Sequence, residues 1–354
     1  MSTELIEEGR RQITICNACR YCEGYCSVFP AMFRERTFAD GTITQLANLC
    51  HNCRGCYYAC QYTEPHEFAL NLPKILAEVR QDGWQSNTVP GALAKAFHRS
   101  GVAIALAVVV GFALLIWAIK TLGAASGEGF YAVLSHNAMV AIFTPAFILP
   151  LILIAISLRR YWRSVGGGGV GLRDIVSAFS LAAQMRNLAG GHGDGCNFED
   201  TDRFTHVRRW HHQAVMYGFL LCFAATSVAT LMHYVFDLPA PYGPFSLPKL
   251  LGVSGGVLLS LGTLGMAVLK VKGEKHLADA RVWGGEMAFV LLLCFVSTTG
   301  LALYGFGDSV WLTELLAIHL GAVLAFFVLM PFSKMVHGFY RLAALTKEAR
   351  DLSA

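Results

Sequence analysis

Charge is scarce in this 354-residue chain: Asp, Glu, Lys and Arg make up 15% of it, where a soluble domain carries about 25%. Mean hydropathy is +0.48. That shortage excludes an ordinary soluble enzyme and points to a membrane protein. No secretory leader is visible either. The start, MSTELIEEGRRQ, is polar and has no apolar stretch, so the N-terminus is expected to stay in the cytoplasm. Lysine and arginine are absent from three segments, 121–137, 237–248 and 306–310. Net charge is only +4, and no nucleic-acid partner is expected.

What is present is hydrophobic in long blocks. Six are long enough to cross a bilayer, near 101–120, 138–158, 211–236, 249–270, 284–305 and 311–332, since a span needs about 20 mostly apolar residues. Pro145 and Pro150 are expected to kink the second. Gly252 and Gly256, four apart on the fourth, suggest close helix packing. The glycine run Gly166–Gly169 with Gly171 follows no strand and reads as a linker, not a phosphate loop. Arg159, Arg160, Arg163, Arg173, Arg186, Arg203, Arg208 and Arg209 crowd the 159–210 segment, and Lys270, Lys272, Lys275 and Arg281 mark the segment after the fourth span. This one-sided bias places both termini and the long loop in the cytoplasm. The chain thus divides into a cytoplasmic head and linker helix, 1–98, and a six-span membrane domain, 99–354, whose long cytoplasmic loop is 159–210.

Eight of the eleven cysteines lie in the first 60 residues. They form two runs, Cys16-x2-Cys19-x2-Cys22-x3-Cys26 and Cys50-x2-Cys53-x2-Cys56-x3-Cys60. This is the spacing of a two-cluster ferredoxin, in which the fourth cysteine of each run ligates the other cluster. Cys16, Cys19, Cys22 and Cys60 are therefore assigned to one [4Fe–4S] cluster, and Cys50, Cys53, Cys56 and Cys26 to the other. Zinc sites favour separated C-x2-C pairs, and disulfides do not suit a reducing compartment. One departure is that no proline directly follows Cys26 or Cys60; Pro30 and Pro65 come later. The residues between the runs favour helix, so the expected fold is all-α: a helical two-cluster ferredoxin-like head followed by a six-helix transmembrane bundle. Cys222 and Cys294 read as packing residues in spans, and Cys196 as an isolated loop thiol.

Ionisable residues within spans are costly and mark function. The third span opens with His211-His212 and closes with His233; the sixth carries His319, with His337 just past its end. His319 and His337 are five helical turns apart and share a face; His211 and His233 agree within about 40°, His212 and His233 within about 60°. Two antiparallel helices can thus offer one histidine each at either membrane side. That pattern predicts bis-histidine haem b, one or two copies: His337 with His211 or His212 inside, His233 with His319 outside. The angles favour His211 without excluding His212. Arg208 and Arg209 are placed to meet propionates. His136, His192, His206 and His276 are weaker ligand candidates; His206 and His276 could supply protons to a quinone. A transporter would show inverted repeats and broken helices, which are missing, and a redox sensor would not need ligand pairs on facing spans.

The stretches CNACRYCEGYCSVFPAMFRERTF, CHNCRGCYYACQYTEPHEFALNLP and RWHHQAVMYGFLLCFAATSVATLMH resemble the tricarballylate-utilisation, or citrate-utilisation, protein B family across nearly the whole chain. The segment Arg20-Tyr21-Cys22-Glu23-Gly24 carries more of that resemblance than the cysteine spacing. The resemblance implies a bacterial inner-membrane protein that reoxidises the reduced flavin of an FAD-dependent dehydrogenase acting on tricarballylate. Electrons would pass through two [4Fe–4S] clusters and haem b to the quinone pool. The same relay could serve a different flavin or thiol–disulfide oxidoreductase. The histidine pattern also resembles that of haem b anchors such as the nitrate-reductase γ subunit. No residue is assigned to substrate chemistry.

Overall fold

The computed structural model describes residues 2–123, 129–190 and 192–353. Part of the cation-free 121–137 segment, 124–128, lies outside them, as does Gly191 of the glycine-rich loop before Cys196. Thirteen α-helices account for most of the described chain, joined by short 3-10 turns. The one β feature among the described residues is a single bridge, Cys196 with Thr205. The all-α expectation holds.

The head is built from α1 (Thr3–Cys19), α2 (Val28–Arg34), α3 (Asp40–Leu49), α4 (Gly55–Tyr58) and α5 (Leu72–Asn87). Helix α5 starts where the Asn71 side chain accepts from Lys74 N and Pro73 occupies the first turn, which satisfies one free N–H at no cost to the ladder. The apolar faces of α1, α3 and α5 meet through Ile6, Ile13, Ile43, Leu46, Leu49, Ile75, Leu76 and Val79, all buried. Each such side chain contributes about 1.5–3 kcal/mol.

The rest of the chain holds α6 (Gly91–Thr121), α7 (His136–Ser164), α8 (Leu172–Gln184), α9 (Val207–Tyr234), α10 (Leu247–Lys272), α11 (Trp283–Phe306), α12 (Leu312–Leu329) and α13 (Val336–Ser353). Six helical stretches are long and apolar enough to cross a membrane: α6, α7, α9, α10, α11 with its preceding turn, and α12 with its following turn. Leu106, Leu114, Leu261, Leu264 and Phe295 stay exposed on their outer faces, which suits hydrocarbon and not water. Helix α6 bends at Ser100, the one residue in it with non-helical dihedrals, two residues past the boundary drawn at 98. Helix α7, in contrast, stays helical through Pro145 and Pro150. Neighbouring helices stabilise such interior prolines in a membrane.

The glycines that set helix spacing differ from the expected pair. A Cβ on Gly252 would meet Ala225 at an ordinary 3.7 Å, whereas one on Gly256 would press on the Leu301 side chain of α11 at 3.0 Å, so Gly256 alone of the pair packs closely. The tight seam joins α9 to α10 through Gly218, Gly255 and Gly262: a Cβ on Gly255 would lie 2.8 Å from Cys222 N and Gly218 O. Such small residues let two backbones touch.

The 159–210 segment is not a bare loop. It contains α8, which packs on α13, and its second half folds over the head. Asn197 N donates to Cys53 O (2.8 Å) and Arg54 Nη1 to Phe198 O (2.8 Å), while His192 meets Tyr25 edge-on at 5.6 Å. The head is further tied down by Arg34–Glu348 (2.5 Å), Gln45 Nε2 to Ala344 O (2.8 Å) and Tyr161 OH to Gln45 Oε1 (2.7 Å).

Candidate functional site: two thiol quartets above a histidine cavity

The eight thiols line two neighbouring cavities, and Cys56 lines both. Cys16, Cys19, Cys22 and Cys60 line a cavity of about 240 Å3 at the outer end of the head, where Cys19 is exposed and Tyr21 stands in solvent. Cys26, Cys50, Cys53 and Cys56 line a second, much narrower one of about 20 Å3, with His51, Asn52 and Arg54 in its wall. Left-handed backbone at Arg20 (φ 57°), Asn52 (φ 52°) and Arg54 (φ 69°) turns the loops so that the thiols point inward. Asn52 holds its strained conformation because its amide donates to Pro73 O (3.1 Å) and Leu277 O (2.8 Å) and accepts from Arg54 Nε (3.2 Å). Backbone N–H groups of Asn52 and Tyr62 point at the sulfurs of Cys50 and Cys60, at 3.4 and 3.3 Å. Such bonds tune an iron–sulfur centre.

Burial and neighbouring thiolates push Cys16 and Cys22 up to about 12. Cys53 goes the other way, held below the ordinary thiol range chiefly by a hydrogen bond with Cys26. Among the described residues no three His, Cys, Asp or Glu side chains converge on one point as a single ion requires. A cubane instead spreads four thiolates over four irons, and a ring of cysteines around a cavity is the donor set it takes. The outer cavity has that form; the Cys26 and Cys53 thiols, now in contact, must part to admit a cubane. Cys196, left isolated by the sequence reading, lies buried beside this inner quartet.

Between head and bundle lies a third cavity, about 360 Å3, lined by both His212 and His337. Their rings stand 5.8 Å apart at 84°. Two imidazoles that flank one metal at about 2 Å each have centroids about 6 Å apart. His337 Nδ1 hydrogen-bonds to Lys334 O, so that nitrogen carries the proton and Nε2 is left with its lone pair, the usual second-shell arrangement of a metal-bound histidine. Burial, then the proximity of His212, holds His337 well below the ordinary imidazole range, which keeps that lone pair free at neutral pH. His212 Nδ1 is buried with no partner. Toward the membrane the walls are apolar, with Val215, Met216, Phe219, Phe289, Val290 and Leu293; toward the head they are cationic, with Arg80, Arg208, Lys334 and Arg341. An amphipathic disc with metal at its centre and carboxylates at one edge fits this cavity, and haem b has that chemistry.

His211 does not line this cavity. A Cβ on Gly265 would overlap its ring, so the imidazole is seated against α10, and the cavity holds the neighbour that the helical angles favoured less. The outer pair differs as well. His233 stacks not on His319 but on His136, at 4.3 Å and 26°, and His136 Nε2 hydrogen-bonds to Tyr234 OH at 2.9 Å. His319 is held by Thr299 Oγ1 at 3.1 Å and packs over Gly300. Facing positions on a helical grid bring groups to one level but do not choose their neighbours, and α7 supplies a closer partner for His233. Arg209 bonds Gln184 O at the surface, away from the cavity. His206 stacks on Trp210 and His276 lies edge-on to Tyr57; the cavity wall holds neither. Sequence reading missed Arg341 and the buried cluster in which Glu286 accepts from Lys270 (2.5 Å) and Lys334. A signal for Arg341 existed. Arg208 precedes His212 by four residues and Arg341 follows His337 by four, so each arginine shares a helix face with its histidine.

Fold and site together define a helical protein with a ferredoxin-like, iron–sulfur-type head on a bundle of six membrane-length helices. The chain belongs to the citrate utilization protein B family: the family's Fer4-like domain matches residues 9–86, and its main description, "Citrate utilization protein B", matches residues 92–354. It is 42% identical to the citrate utilization protein B of Escherichia coli over 354 residues, covering 98% of this chain and 93% of that one. No solved structure matches it.

Proposed function

We propose that this chain is a membrane electron relay. It carries electrons from the reduced flavin of a partner dehydrogenase, with tricarballylate as that partner's substrate, through two [4Fe–4S] clusters and one haem b to quinone. In this reading it sits in the bacterial cytoplasmic membrane with both termini and the 159–210 segment inside. Cys16, Cys19, Cys22 and Cys60 hold the outer cluster at the surface where a flavoprotein can dock. Cys26, Cys50, Cys53 and Cys56 hold the inner one. His212 and His337 hold the haem. One-electron exchange is the chemistry these groups supply when bound; the chain sets their spacing and keeps water away. The balance closes: a reduced flavin gives up two electrons and two protons, and a quinone takes up two of each.

The observation that carries the reading is that three sites adjoin: the two thiol cavities share Cys56, and the inner one shares His51, Asn52 and Arg54 with the His212–His337 cavity. The exposed quartet, the inner quartet and the His212–His337 cavity follow one another, and Arg208 and Arg341 bond the loop of the inner quartet from the cavity side. The outer histidines are given no ligand role, because His233 and His319 have different neighbours.

The test is an iron and haem assay with a dithionite-minus-oxidised spectrum on one detergent-purified sample. About eight non-haem irons, four per cubane, and one haem b per chain are expected. Iron without haem would remove the cavity from the route; zinc in place of iron would end the proposal.

A further inference from the structure

Three cations from three helices converge on the inner-cluster loop. Arg80 of α5 donates Nη1 to Cys50 O (2.7 Å) and to Ala47 O (3.1 Å). Arg341 of α13 donates Nη2 to the same Cys50 carbonyl at 2.9 Å. Arg208 of α9 donates Nη1 to Asn52 O at 2.8 Å and lies over the Phe198 ring at 4.0 Å. All three also line the His212–His337 cavity. Two of them are incompletely bonded: Arg208 Nε and Arg341 Nη1 are buried with no partner. Leaving a buried donor unmade is unfavourable, and more so on a charged group.

The anions nearby do not answer this charge. Of the three carboxylates in the cavity wall, Glu286 is engaged by Lys270 and Lys334, Asp279 by Arg281 at 2.8 Å, and Glu274 by the Tyr58 hydroxyl at 2.6 Å. Both guanidiniums sit one helical turn from a cavity histidine on its head side, Arg208 from His212 and Arg341 from His337. A ligand that presents two carboxylates at one edge, one turn below a metal held by both histidines, would complete both.

Resting on the haem reading above, we propose that Arg208 and Arg341 are the carboxylate-binding end of this cavity, one guanidinium for each haem propionate. The same two side chains then join the propionates to the carbonyls of Asn52 and Cys50. The inner-cluster loop and the haem become one hydrogen-bonded unit, and haem loading braces the loop that carries Cys50 and Cys53. Arg80 has both its described bonds within the head and is placed as a support for Cys50, not as a propionate ligand.

Haem-depleted full-length protein is titrated with haem and with haem dimethyl ester, whose carboxylates are blocked, and Soret absorbance gives both affinities. A charge-assisted hydrogen bond contributes about 1.5–3 kcal/mol, so each lost pair weakens binding about 10- to 100-fold. Wild-type protein is expected to bind the ester at least tenfold more weakly than haem. In R208Q and R341Q the gap should narrow, and in the double variant vanish. The haem midpoint potential should fall in each variant, because a cation beside the propionates favours the reduced state. Iron content and cluster EPR on the same samples confirm that the head remains folded, and the ester comparison on wild type needs no variant at all. Equal affinity for haem and ester would overturn the proposal and leave the relay standing. Failure of wild type to bind haem would remove the haem reading on which the proposal rests. Citrate added at millimolar concentration provides the remaining arm: if it abolishes the preference for haem over the ester without displacing haem, the arginines serve a free polycarboxylate and the propionate assignment is wrong.

Discussion

Among single residues, the thiols were the most legible and the histidines the least. Metal ligands within one short run are ordered by the chain itself, so spacing alone assigns Cys16, Cys19 and Cys22 to one group and Cys50, Cys53 and Cys56 to the other; in space Cys60 joins the cavity of the first three and Cys26 that of the second, with Cys56 in the wall of both. Cys16→Ser and Cys60→Ser should therefore abolish the same cluster EPR signal, and Cys26→Ser and Cys50→Ser the other, each lowering iron from about eight to about four per chain. If Cys16 and Cys26 fall together instead, the crossing is wrong. Choosing between His211 and His212 needed information from another helix. The ring of His211 is admitted by the missing Cβ of Gly265, which no angular count along α9 reveals. His211→Ala should retain haem and His212→Ala should lose it, read from the Soret band of equal amounts of purified protein. Loss in both, or in His211→Ala alone, would contradict the cavity.

At the level of helices, length and composition located all six membrane-length segments, since an apolar block of that size has few other solutions. What hydropathy does not encode is which faces touch. Gly252 and Gly256 had the spacing of a packing motif, yet the closest approach runs through Gly218 and Gly255, because the motif fixes a face only once its partner helix is known. Gly255→Leu should force α9 and α10 apart; overpacking of this kind costs about 1–3 kcal/mol and more where backbone is struck. A clear drop in the detergent melting temperature is expected, with Gly252→Ala near wild type as the contrast. Helix α8 went unread inside a segment taken for a loop. Its Leu172, Ile175, Val176 and Phe179 do recur at helical spacing, but the flanking glycines and arginines obscured the pattern. The link from α7 to the head is a second element-scale device. Tyr161→Phe would leave Gln45 Oε1 unbonded in a buried site, at about 1–3 kcal/mol, and should lower the melting temperature without changing iron or haem content.

Across the whole molecule the order of the three sites matters more than any one of them. A surface quartet, a covered quartet and a cavity at the edge of the bundle make a path in which each site adjoins the next, and the 159–210 segment shields the middle one through Asn197 and Phe198. The sequence predicted the ends of that path, from cysteine spacing and from histidines in apolar blocks. The joint between them was hidden, since Arg80, Arg208 and Arg341 come from helices far apart in the chain and meet only in the fold. The central claim is that electrons given to the head reach quinone by way of His212 and His337. Its most direct test is stopped-flow mixing of cluster-reduced protein with a water-soluble quinone, following cluster, haem and quinol absorbance together. In wild type, haem reduction should precede quinol formation, and cluster-replete His337→Ala protein should form quinol at least tenfold more slowly. Quinol formed at the wild-type rate by that haem-free variant would contradict the account, and would place quinone reduction at the clusters themselves.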